Sequence, residues 1–81
     1  MAETKLANLD IQYDPSADVL YCSFGPPQEA VGEEVGEGIV VRRNAVTNSV
    51  VGITVVDFSR RFQQEPHGVV SVPLDAVASF A

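Results

Sequence analysis

The segment Val50–Val56 constrains the fold most, because it is apolar on nearly both of its sides. Alternate residues of a strand point to opposite faces of a sheet. A strand with apolar residues on both faces is usually central and covered twice. We therefore predict a central strand, with the second cover supplied by the C-terminal segment or by another subunit. The two sets of residues, one on each side, are Val51, Ile53 and Val55, and Val50, Thr54 and Val56.

Two β-hairpins are predicted to account for most of the chain. Alternation of apolar and polar residues is typical of a half-buried strand, and clusters of Pro, Asp, Asn and Ser favour turns. The first hairpin joins strands at 9–13 and 19–24 by a turn at 14–18, and the second joins strands at 39–43 and 50–56 by a loop at 44–49.

The remaining elements are shorter. Residues Ala30–Val35 predict an exposed edge strand whose glutamates deter edge-to-edge pairing. Asp57 or Ser59 is expected to cap a helical turn that runs through Phe62. A last strand at 69–72 and a helical segment at 75–80 complete the prediction. The fold class is therefore α+β, a mostly antiparallel β-meander of five or six short strands with a short C-terminal helical element.

Length and composition place the chain in a narrow class. Its 81 residues are enough for one domain, 1–81, in which we expect residues 1–6 to be disordered. Cys22 is the only cysteine, which excludes a disulfide scaffold. No stretch has the length and apolarity of a membrane span or the layout of a signal peptide, so we expect a cytoplasmic protein. The net charge of −6 disfavours nucleic acid as a partner.

The polar residues suggest no catalytic, cofactor or metal site. Asp14, Ser16 and Asp18 have the spacing of the first calcium ligands in an EF-hand loop. However, Val19 replaces the glycine that the loop needs for its sharp turn, and Gly25 replaces the final glutamate ligand. The turn interpretation is therefore preferred. His67 lies in a predicted loop without a second metal ligand in a matching pattern.

Other candidates are also explained by structure. Ser59 lacks the glycines of a nucleophile elbow. The pair Arg60-Arg61 lies between two phenylalanines, but nucleic-acid grooves need a broader basic surface. We expect the two rings to pack and the arginines to form ion pairs or remain solvated. Cys22 is interpreted as a small core residue.

Two stretches carry a family resemblance: Tyr13-Asp14-Pro15-Ser16-Ala17-Asp18-Val19-Leu20-Tyr21, and Val50-Val51-Gly52-Ile53-Thr54-Val55-Val56-Asp57-Phe58-Ser59. With Glu33-Glu34 and the strand that begins at Gly38, they resemble the small bacterial family called domain of unknown function 2283, over roughly 11–61. The resemblance implies a compact β-rich fold in a bacterial cytosolic protein and carries over no catalytic residue. Some relatives are encoded beside small basic toxin-like proteins. The resemblance therefore implies that this acidic chain acts as the binding partner of a small basic protein.

Three functional hypotheses follow. The first is a non-enzymatic interaction module that self-associates, most simply as a homodimer, because one small chain can hardly cover a two-sided apolar strand. The second is an acidic antitoxin-like partner of a small basic protein. The third is a small-ligand binder or enzyme that uses the segment 29–37. The self-association strand would use Val50, Val51, Ile53, Val55 and Val56, and the acidic face would use Glu29, Glu33, Glu34 and Glu37.

Overall fold

A computed structural model of the chain describes residues 8–64 and 68–73. Five strands form one antiparallel sheet in the order β1-β2-β5-β4-β3, followed by a short helix. This confirms the α+β class and places the Val50–Val56 strand at the centre of the sheet. The elements are β1 Leu9–Asp14, β2 Val19–Phe24, β3 Ala30–Gly36, β4 Ile39–Asn44, β5 Val50–Val56 and α1 Phe58–Gln64.

The hydrophobic core lies on one side of the sheet, called here the inner face. Cross-strand partners point to the same side, so the register that pairs Ile11 with Cys22, Cys22 with Ile53 and Ile53 with Val41 defines this face. A register shift between Arg42 and Arg43 brings Val50 to the same side. Val41 and Val50 are fully buried, and Phe24, Val35 and Val72 pack against them.

The opposite side, called here the outer face, is mostly polar. The same register places alternate residues of all five strands on it. None of the polar or charged residues described on this face is fully buried, although several of them are half-buried. Its principal members are Asp10, Gln12, Tyr21, Ser23, Val40, Arg42, Gly52 and Thr54.

The sheet order brings together two local units. The β1–β2 hairpin is one unit, and β3, β4 and β5 are neighbours in sequence order and form the other. The connection 25–29 crosses the end of the sheet from β2 to β3. There the Asn44 side-chain amide donates a 2.7 Å hydrogen bond to the Gln28 side-chain oxygen. The predicted edge strand is confirmed, because β3 is the outermost strand on this side.

The predicted last strand at 69–72 is wrong. Residues 68–73 have no strand or helix, and Val72 packs against Val41 and Val50 on the inner face of the sheet. A segment that lies over the face of a sheet has its backbone turned away from the edges, where ladder hydrogen bonds form. The predicted helical segment at 75–80, the expected disorder at 1–6 and His67 lie outside the described residues.

Candidate functional site

Asp18 links the first turn to helix α1 by hydrogen bonds. Its Oδ1 atom accepts a 2.6 Å hydrogen bond from the Tyr13 hydroxyl and a 3.0 Å bond from the backbone N–H of Ser59, and its Oδ2 atom accepts a 3.4 Å bond from the N–H of Arg60. The Asp18 carbonyl accepts from the N–H of Phe58 at 2.9 Å. Chiefly through the Tyr13 hydroxyl, these donors lower the pKa of Asp18 to about 2.

The prediction that Asp57 or Ser59 caps the helix is therefore wrong. The capping carboxylate belongs to Asp18, which is 41 positions before Ser59 in the chain. Asp57 adopts a positive φ of 57°, and its carbonyl accepts a 3.3 Å bond from the N–H of Arg61. Sequence rules for caps consider neighbouring residues only, so they cannot detect a cap supplied by a distant turn.

The residues 14–18 form a turn, as predicted. Asp14 Oδ1 accepts hydrogen bonds from the Ser16 N–H at 3.0 Å, the Ser16 hydroxyl at 2.8 Å and the Ala17 N–H at 3.4 Å. The Ser16 bond is the main reason why the pKa of Asp14 lies below its usual value. The Asp14 carboxylate thus accepts hydrogen bonds from within the turn, whereas the Asp18 carboxylate accepts them from Tyr13 and helix α1. No group of three His, Cys, Asp or Glu side chains in 8–64 and 68–73 is arranged to hold a metal ion.

The edge strand β1 exposes its apolar side chains. Leu9, Ile11 and Tyr13 are on the inner face, yet they are 52%, 63% and 42% exposed. Within the described residues, β1 pairs with β2 only. The backbone N–H and C=O groups of β1 that point away from β2, in the plane of the sheet, therefore have no strand partner in the described part of the chain. Its register with β2 is regular over all six residues. An uninterrupted edge strand with exposed apolar side chains can pair with another strand.

The acidic residues of 29–37 do not form one face. Glu33 lies on the inner face and forms a 2.9 Å ion pair with Arg43. Glu34 lies on the outer face, where its carboxylate accepts a 3.2 Å hydrogen bond from the N–H of Gly38. Glu29 precedes β3, and Glu37 lies in the turn that follows it. An acidic partner surface at these four residues stays a prediction.

The predicted self-association strand is largely inside the monomer. Val50, Val51 and Val55 of β5 are only 0%, 3% and 4% exposed, while Ile53 and Val56 are half-buried. One chain thus covers most of this strand, and the reason for placing an intersubunit contact there is lost. Self-association itself stays a prediction.

The remaining candidates have structural partners. The rings of Phe58 and Phe62 pack edge to face with centroids 5.2 Å apart. Arg60 lies 3.9 Å from the Asp57 carboxylate, and Arg61 donates to the carbonyls of Val56 and Glu37 at 2.9 and 2.7 Å. Half-buried Cys22 lies on the inner face, where burial raises the pKa of its thiol. The packing of the two rings matches the expectation. Cys22, which was interpreted as a buried core residue, is only half-buried and is not among the residues that form the core.

Arg42 is the functional candidate that the sequence patterns missed. It lies on the outer face, and its direct cross-strand neighbours are Gly32 on β3 and Gly52 on β5. The guanidinium extends over Gly52, and Nη2 donates a 3.4 Å hydrogen bond to the Ser23 hydroxyl on β2. The signal available in the sequence was an arginine at an outward-facing position between strands that carry glycine at the paired positions.

The fold thus defines a small α+β protein with one open sheet edge and one exposed polar sheet face. The family model described as "Protein of unknown function (DUF2283)" matches residues 10–59, and the chain belongs to this family. This confirms the resemblance, and it shows that both quoted stretches lie inside the family domain. No curated protein and no solved structure matches the chain. Within the described ranges, no helix has the length and apolarity required to cross a membrane.

Proposed function

We propose that this protein is a non-enzymatic interaction module that forms a homodimer through β1. The observation that carries the proposal is the exposure of Leu9, Ile11 and Tyr13 on a regular edge strand. Pairing of two β1 strands would give hydrogen-bond partners to the unpaired edge N–H and C=O groups of both copies, and it would bury these side chains. The dimer would then have one continuous sheet of ten strands.

The sequence of β1 supports one pairing register. A two-fold axis perpendicular to the sheet keeps both inner faces on the same side, and then odd-numbered residues must face odd-numbered residues. With the axis at Ile11, the two Ile11 side chains face each other, Leu9 faces Tyr13 of the second copy, and Asp10 faces Gln12.

The neighbouring registers are unfavourable electrostatically. A shift by two residues in one direction places the two Asp10 side chains opposite each other. The opposite shift places Asp10 opposite Asp14 of the second copy. Like charges directly opposite on adjacent strands are destabilising, so charge selects the register centred at Ile11.

A disulfide at the two-fold axis tests the proposal. Residues opposite each other in an antiparallel pair have Cα atoms about 4.5–5.5 Å apart, which suits a disulfide. Ile11→Cys should be made together with Cys22→Ser, because Cys22 lies opposite Ile11 in the same chain. Under mild oxidation we expect a covalent dimer, which non-reducing electrophoresis detects. Val31→Cys in the same background is the matched control, since Val31 is 60% exposed but lies on β3.

Equal crosslinking of the Ile11→Cys and Val31→Cys variants would show random collision and overturn the proposal. A native chain that is strictly monomeric at high micromolar concentration in light scattering would overturn it as well. A monomer that co-purifies with a co-expressed small basic protein would favour the antitoxin-like alternative.

A further inference from the structure

The Arg42 guanidinium is held against the sheet with few partners. Gly52 leaves room for the side chain, because a Cβ atom at this position would lie 2.9 Å from Arg42 Nε. The guanidinium has five N–H donors, and its hydrogen bond to a side chain is the long contact to the neutral Ser23 hydroxyl. Among the described residues, no carboxylate oxygen lies within 4.0 Å of it. A half-buried charge with so few partners favours an added anion.

The other described arginines have stronger acceptors than Arg42, although the buried Nε atom of Arg43 has no hydrogen-bond partner within the described ranges. Arg43 has the Glu33 carboxylate, Arg60 has the Asp57 carboxylate, and Arg61 has two backbone carbonyls. Each of these three therefore faces a carboxylate or backbone carbonyls, which are stronger acceptors for a guanidinium than a neutral hydroxyl. Arg42 combines partial burial with the weakest acceptor of the four.

Two adjacent depressions of the outer face meet at Arg42. One has a volume of about 640 Å³ and is bordered by Tyr21 and Thr54. The other has a volume of about 310 Å³ and is bordered by the connection 25–28. Arg42, Gln12 and Ser23 line both, so a charged donor, an amide and a hydroxyl point into the same space. Both depressions are open to solvent, so a small organic molecule bound here would lie on the sheet and be covered on one side.

We infer that the outer face binds a small organic carboxylate through Arg42. The planar guanidinium donates two parallel hydrogen bonds to a carboxylate, and Ser23 and Gln12 supply further polar contacts. A dianionic phosphate is disfavoured, because Asp10 and Asp14 line the two depressions and the chain carries a net charge of −6. Tyr21, a residue that is 40% exposed, also lines the larger depression, and its ring offers a flat apolar surface. An aromatic carboxylate should therefore bind better than acetate.

Titration of the full chain with benzoate, acetate and phosphate, followed by NMR, tests this inference. We expect benzoate to give saturable shifts of the Arg42 Nε–H signal and of the Tyr21 and Ser23 amides. Arg42→Gln should weaken binding by about tenfold or more, since hydrogen bonds between charged groups are lost. Arg42→Lys should also weaken it, because Lys lacks the planar fork. Asp10→Asn should strengthen it by removing a nearby negative charge.

Arg60→Gln is the matched control, because the Arg60 side chain is 65% exposed and lies outside both depressions. It should bind benzoate as the native chain does. Amide spectra of each variant show whether the fold is retained, and Arg42→Lys provides a second test if Arg42→Gln does not fold. The inference is overturned if benzoate gives no saturable shifts, if Arg42→Gln binds equally well, or if phosphate binds as tightly as benzoate.

Discussion

The two edge strands of the sheet differ in how open they are to pairing. At one edge, β3 contains two adjacent glutamates and a register shift between Glu34 and Gly36. At the other, β1 has a regular register and exposes Leu9 and Ile11 on one face. Charges and bulges are two ways in which proteins protect sheet edges from unwanted pairing.

This difference shows that protection against pairing with another strand depends on the residues of each edge strand and is not shared by both edges of the sheet. The protected edge holds Glu33 in an ion pair with Arg43, and the register shift interrupts the backbone row that a second strand would have to match. The open edge has acidic residues as well, but Asp10 and Asp14 lie on the outer face, away from its apolar side chains. The two edges should therefore respond differently to the same substitution.

Replacement of an exposed apolar residue by lysine on each edge gives the largest expected contrast. Ile11→Lys would place two ammonium groups opposite each other at the proposed two-fold axis. We expect the dimer affinity to fall by about a hundredfold or more, because like charges at an interface cost several kcal/mol. Sedimentation equilibrium measures this change. Val31→Lys on β3 should leave the affinity unchanged, and an equal loss in both variants would contradict the contrast between the edges.

Glycine to alanine substitutions contrast the central strand with the protected edge. The Cβ of Gly52→Ala would lie 2.9 Å from the Cys22 carbonyl oxygen, a backbone atom that can hardly move. We expect a loss of about 1–3 kcal/mol in the free energy of unfolding. Gly36→Ala on β3 meets no atom closer than 3.7 Å and should change it by less than about 0.5 kcal/mol. Urea denaturation measures both, and similar losses would show that the edge is as tightly packed as the centre.

Acid should loosen the open-edge side of the molecule. The pKa of Asp18 is lowered from 3.8 to about 2 in the folded chain, so the unfolded chain binds the proton at higher pH. Its contribution to stability is therefore present above about pH 4 and is lost as the pH falls through 2. Amide exchange should show that β1 and α1 lose protection before β3 does.

Asp18→Asn is the control for the acid effect. The difference in unfolding free energy between native and variant chains should shrink as the pH is lowered, because the native carboxylate becomes neutral. A difference that does not change with pH would show that the hydrogen bonds to Tyr13 and α1 do not require the charge.

Removal of the ion pair on β3 should have the smallest effect. Glu33→Gln removes a carboxylate that is 56% exposed from an arginine that is 18% exposed. We expect a loss of about 0.2–1 kcal/mol that decreases in high salt. Thermal unfolding at two salt concentrations measures it. A larger loss that is independent of salt would mean that packing of the Glu33 side chain, rather than its charge, stabilises this edge of the sheet.

Local features were predictable from the sequence, and distant ones were not. The alternation in 9–13 and the turn at 14–18 depend on neighbouring residues, so the predicted ends of β1 to β5 differ from the observed ends by one residue at most. The two-sided apolar pattern of Val50–Val56 correctly indicated a central strand.

The errors arose where residues far apart in the chain meet. The cap from Asp18 to α1 and the packing of Val72 on the inner face depend on the folded arrangement, which periodicity does not report. The exposure of β1 was hidden for the same reason, because alternation shows that a strand has an apolar face but not whether that face is covered. Arg42 was missed because its site combines residues from several strands.

The pairing of β2 with β5 has a consequence for the order of folding. Every other strand pair joins neighbours in the sequence, whereas this one joins Val19 to Val56 and Ser23 to Gly52. Local hairpins form within microseconds, but non-local pairing must first close a long loop at an entropic cost. We expect the two local units to form first and their joining to limit the folding rate, so substitutions along β2 and β5 should slow folding more than substitutions at either edge.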